Sequence, residues 1–188
     1  MALGTTPEEC IIALGRALKG ERERGEQFCV FAFDCMEDDM TLDPPPGDYT
    51  RDTLPMTSWD TPPRWNAAFY KVVGPDHTEK AILDDFGQWI SDYSGTYGNP
   101  KALYVYSFLI PCLRDGDHGH CSDNIAATIL GASDHYELKE VHIGWSNSDR
   151  DLDMASAIKV MIADLDDDGI DITLHSGVSI ADRQPVTT

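Results

Sequence analysis

The sequence predicts an α/β fold, a three-layer α-β-α arrangement with a five-stranded mixed sheet, in a single domain spanning residues 1–188. Apolar runs of strand length alternate with segments whose apolar residues recur at helical spacing. In the second half of the chain successive strands are joined by helical segments. A helical crossover between neighbouring strands requires them to run parallel. A chain of 188 residues, 41% hydrophobic and 25% charged, suits one domain with a sizeable core.

The elements follow in order. Thr6-Pro7-Glu8-Glu9 reads as an N-cap, a proline at the first helical position and acids in the first turn. A helix to about Lys19 should place Ile11, Leu14 and Leu18 on one face. Gln27 to Cys35 and Trp65 to Val73 read as two strands in a hairpin, separated by a polar insert at 36–64 with six prolines. That insert exceeds a normal connection and reads as either a functional lid or a partly disordered segment. His77 to Tyr93 reads as a helix with Ile82, Leu83, Phe86 and Ile90 in register, and Gly95 to Pro100 as a turn. Lys101 to Cys112 is a near-continuous apolar strand of the kind buried on both faces. Cys121 to Leu130 is a helix, Glu137 to Ser146 an alternating strand, Met154 to Leu165 an amphipathic helix and Asp171 to Val178 a final strand. Residues 180–188 form a polar tail.

Charge limits the partners. The formal net charge is -19 and the pI about 4.4. Such a surface repels phosphate backbones on average, which argues against tight nonspecific nucleic-acid binding. The basic cluster Arg16, Lys19, Arg22 and Arg24 is diluted by Glu21 and Glu23 and reads as a solvated helix end. Five cysteines, an odd number, do not suggest a disulfide framework. The first twenty residues lack a secretory pattern, and no run approaches the length of a membrane span. The expected setting is therefore cytoplasmic or nuclear, without membrane association.

The chemistry concentrates in His77-Thr78-Glu79, Pro111-Cys112 and Cys121. One imidazole and two thiolates can hold a zinc ion and leave its fourth position open. Zinc lowers the pKa of bound water to about 7, which supplies a nucleophile at neutral pH. Glu79, two residues from His77 at a helix start, can shuttle protons without itself being a ligand. HxE is common by chance, but here it opens a helical segment, while Pro-Cys closes a strand and Cys121 opens another helix.

This set resembles the H-x-E…P-C-x-x-C signature of zinc-dependent nucleobase deaminases. The gap between the cysteines is longer here, with eight intervening residues. Over residues 6–178 the motifs and element order look like the cytidine-deaminase-like superfamily. A helix between the last two strands is similar to the AID/APOBEC and tRNA adenosine deaminase branch. The resemblance implies zinc ligands His77, Cys112 and Cys121, with Glu79 as proton shuttle. It also implies substrate contacts at Asn66, Thr78, Ser107 and Trp145, the last as an aromatic in a substrate-facing loop; from the residues alone Asn66 reads equally as a strand-entry turn residue and Trp145 as a core-edge residue. The segment before Pro111 departs from the AID/APOBEC pattern, since Ser107-Phe108-Leu109-Ile110 lacks the tryptophan of Ser-Trp-Ser.

The expected function is hydrolytic deamination of cytosine in single-stranded DNA or RNA. The alternatives are a free nucleoside or nucleotide deaminase, or a noncatalytic interaction protein stabilised by zinc. Glu79 favours the enzyme, because a structural zinc does not need it. His118 and His120 read as bystanders to Cys121. Asp164-Leu165-Asp166-Asp167-Asp168-Gly169 begins like a calcium loop. His175 stands where the loop's bidentate glutamate belongs, so an acidic helix-ending turn fits better.

Overall fold

A computed structural model describes residues 4–19, 27–36, 67–72, 83, 86–107, 121–146, 163, 165, 169–176 and 178. The elements are α1 (Pro7–Lys19), β1 (Gln27–Phe33), β2 (Ala67–Val72), α2 (Phe86–Tyr97), β3 (Ala102–Ser107), α3 (Cys121–Tyr136), β4 (Glu140–Trp145) and β5 (Asp171–Ser176). The chain is α/β. The strands β1, β3, β4 and β5 form the body of a mixed sheet, and β2 pairs with the outer edge of β1 in the order β2-β1-β3-β4-β5. β1 is antiparallel to both neighbours, whereas β3, β4 and β5 run parallel, as crossover connections require. The polar insert, the tail and most of the expected helix at 154–165 lie outside the described residues.

Side chains on a strand alternate between faces, and here each face has its own helices. Cys10, Ile11 and Leu14 of α1 pack on Val30, Ala32, Tyr104 and Tyr106. On the opposite face Phe31, Phe33, Val105, Val141 and Ile143 lie under Phe86 and Ile90 of α2 and Ile125 and Ile129 of α3. Every residue of β3 is buried, which explains its unbroken apolar sequence. Phe33 anchors the second face, stacked on Trp89 with ring centroids 4.1 Å apart.

Local signals explain most ends. The N–H of Glu9 donates to Thr6 Oγ1 at 3.3 Å, the expected N-cap. Glu9 in turn accepts from the Thr5 N–H at 2.8 Å and the Thr5 hydroxyl at 2.7 Å. The Thr5 hydroxyl, then the Thr5 N–H, holds the Glu9 carboxyl below the usual range.

Two helices overrun their expected ends. α2 continues through Gly95 to Tyr97, and α3 continues through Gly131 to Tyr136. Both glycines have open space where a side chain would stand, so the buried stripe, not the glycine, sets the length. In α3 that stripe extends to Ala132, which is buried. The true stop of α2 is Gly98, with φ +89° and an N–H donating to Ser94 O at 3.0 Å. Glu137 ends α3 in the same way, with φ +57° and an N–H to Ser133 O at 3.1 Å.

β1 stops before its expected end at Cys35, because Asp34 turns into the left-handed region at φ +48°. Its carboxylate accepts from the Lys101 and Ala102 N–H groups at 2.9 and 3.0 Å and from the Tyr93 hydroxyl at 2.8 Å. One side chain thus joins β1, β3 and α2.

Gly144 lets α1 approach the sheet. A Cβ there would lie 2.4 Å from Ile11 Cγ2. Gly144→Ala should therefore destabilise the fold by about 1–3 kcal/mol through overpacking. A denaturant midpoint equal to that of the parent would show that α1 shifts without penalty.

Candidate metal centre at the carboxyl ends of the strands

The registers bring several chain ends together. Gln27 pairs with Val72, Cys29 with Ser107, Ser107 with Trp145, and Trp145 with Ser176. The carboxyl ends of β2, β3, β4 and β5 therefore share one end of the sheet with the start of β1. Ligands of open α/β sheets bind outside the carboxyl ends of the strands.

The expected chemical residues follow these ends in sequence. His77, Thr78 and Glu79 come after Val72, and Cys112 after Ser107; all four lie outside the described residues. Cys121 is the first residue of α3. Its thiol also lies outside the description, but a helix N-terminus carries partial positive charge that favours thiolate. Asn66 lies outside the description as well. Its neighbour Ala67 pairs with Ala32 at the opposite end of the sheet, so the register does not join Asn66 to the others.

Two expected contacts have defined places. Ser107 is 1% exposed at the end of β3. Trp145 is 2% exposed and belongs to the core beneath α2 and α3. Of the two readings of Trp145, this burial is that of a core-edge residue and not of a substrate-facing loop aromatic. Trp145 is the last residue of β4 and shares the phase of Val141 and Ile143, so alternation turns it inward.

Val178 and Ser146 close this end of the sheet. The Val178 N–H donates to Trp145 O at 2.9 Å, and the Ser146 hydroxyl donates to Val178 O at 3.1 Å. Ser146 thereby accepts the proton of the Tyr106 hydroxyl.

The remaining described thiols are poor ligands. Cys10, Cys29 and Cys35 are buried and form no disulfide. Burial, then the charge of Glu9, pushes the Cys10 thiol up to about 11. Burial raises Cys35 well above its usual range. A protonated thiol neither attacks nor binds metal well. Among the described residues no group of three or more His, Cys, Asp or Glu side chains could hold a metal. His118, His120 and the aspartates of 164–168 lie outside them. Gly169, at φ +78°, and the Ile170 N–H bonded to Leu165 O at 3.0 Å close the turn after Leu165.

The sequence reading missed a histidine pair. His142 and His175 share the α1 face of β4 and β5, with ring centroids 5.7 Å apart. Their positions, each in phase with the α1-facing residues of its strand, are the signal that could have found them.

No protein-family model matches the chain, and no curated protein and no solved structure matches it. Among the described residues no helix is long and apolar enough to cross a membrane.

Proposed function

We propose that this chain is a zinc-dependent hydrolytic deaminase of cytosine in single-stranded nucleic acid, on a three-layer cytidine-deaminase-like fold. One observation carries the reading. The strand ends preceding His77 and Cys112 meet at the sheet end where parallel strands finish. α3 begins at Cys121 itself.

The donor set fits the metal. His77, Cys112 and Cys121 supply one imidazole and two thiolates and leave one position open. When bound, zinc supplies a water acidic enough to ionise near neutral pH. Glu79 would take one proton from the attacking water and give it to the ring nitrogen, then take the second proton from the added hydroxyl and give it to the amino group, so that the C–N bond breaks, ammonia leaves and the carbonyl forms. The start of α3 favours the thiolate form of Cys121.

A second reading, a free nucleoside or nucleotide deaminase, has two observations in its favour. The net charge of -19 opposes phosphate contacts. Burial of Trp145 removes a stacking platform for neighbouring bases. A small substrate needs neither a basic track nor that platform.

Elemental analysis tests the metal claim. Purified protein should contain about one zinc per chain, the stoichiometry of a single three-ligand site, and Cys112→Ser should lose most of it. Zinc-free protein, or full zinc in Cys112→Ser, would contradict the proposal.

A further inference from the structure

The proposed zinc chemistry makes no use of the His142–His175 pair on the α1 face of β4 and β5. His142 lies within β4, 6% exposed, and is stacked on Tyr104 with centroids 5.0 Å apart and planes at 24°. Its Nε2 faces the Glu140 carboxylate at 3.4 Å. Its Nδ1 and the Nε2 of His175 are buried without a hydrogen-bond partner among the described residues. A buried polar atom without a partner is unfavourable and needs an explanation. Among the described residues no third metal donor joins the pair.

The groups around the pair determine its response to protons. From α1, Glu8 acts on His175 and Cys10 lies in the same packed cluster as Tyr104. β3 supplies Tyr104 and β4 supplies Glu140. Asp171 of β5 pairs with Glu140 and shares the face of His175. Burial, then the neighbouring His142, lowers the pKa of His175, and Glu8 only partly opposes this. Two imidazolium rings at this spacing also repel each other.

We infer that His175, set beside the buried His142 on the α1 face of β4 and β5, is a proton-operated latch, which holds α1 against that face when neutral and loosens it when protonated. The sign follows from linkage. His175 binds protons less readily folded than unfolded, so the α1 contact is fully stable above the ordinary value of 6.5. It weakens as pH falls below that value, until the lowered folded value is passed.

The test uses the full chain at pH 7.5 and pH 5.5. Amide hydrogen exchange, corrected for intrinsic rate, should rise in α1 and β5 at the acid pH and change much less in α2 and α3. The unfolding constant of the parent should rise about threefold to tenfold more than that of His175→Gln over the same interval. His175 is partly exposed, so this variant is expected to fold. The His175 ring should titrate below 6.5 by NMR. A midpoint at or above that value, equal pH slopes in parent and variant, or acid-enhanced exchange spread evenly over both faces of the sheet would overturn the latch. The proposed deaminase chemistry is not involved in any of these readouts.

Discussion

Glu79→Ala should keep its zinc and lose deamination by about 100-fold to 10,000-fold, the contribution of a positioned proton shuttle. Glu79 is the carboxylate in the HxE position, and in the proposed mechanism no other group moves the water proton. Glu79→Gln should fail to the same extent, because the amide fills the space but cannot carry the proton. Zinc content by elemental analysis and product formation by mass spectrometry separate the two roles. A Glu79→Ala protein with parental turnover on its true substrate would show that the role is misassigned. Loss of zinc in the variant would make Glu79 a ligand or a structural support instead.

Trp145→Ala should destabilise the fold by about 3–5 kcal/mol, the usual effect of truncating a fully buried large aromatic. Trp145 is 2% exposed in the same cluster as Val141, Ile143 and Phe33. Trp145→Phe keeps most of the apolar volume and should be much milder. The check is urea unfolding of both variants beside the parent. A Trp145→Ala protein with parental stability but weakened oligonucleotide binding would restore the substrate-facing role.

Strand identity and direction were legible because period-two alternation and crossover length are local signals. β3 is the clearest case, since burial on both faces requires its apolar run. The start of α1 was equally plain, because Thr6, Pro7 and Glu9 each have a defined role at a helix N-terminus. Helix ends were less legible. Gly95 and Gly131 look like stops in sequence, yet packing of Tyr97 and Ala132 carries both helices past them. The Asp34 bracket was hidden because its partners Tyr93, Lys101 and Ala102 are distant in sequence. Trp145 stayed open between two readings because a residue at a strand end can belong to the loop or the core, and one step of alternation decides between them. For the proposed metal centre, the donor types were legible in the sequence, and the described strands share one end, after which His77 and Cys112 follow in the chain.

The most direct measurement is deamination itself. Zinc-loaded protein is incubated with cytosine and adenine substrates, free and within single- and double-stranded oligonucleotides, and products are weighed by mass spectrometry. The proposal predicts a gain of about one mass unit on cytosine in single strands, absent from duplex, because a target base must leave the stack. Turnover of free nucleosides or nucleotides alone would select the small-substrate reading. Zinc-loaded protein that converts none of these substrates would contradict the deaminase assignment.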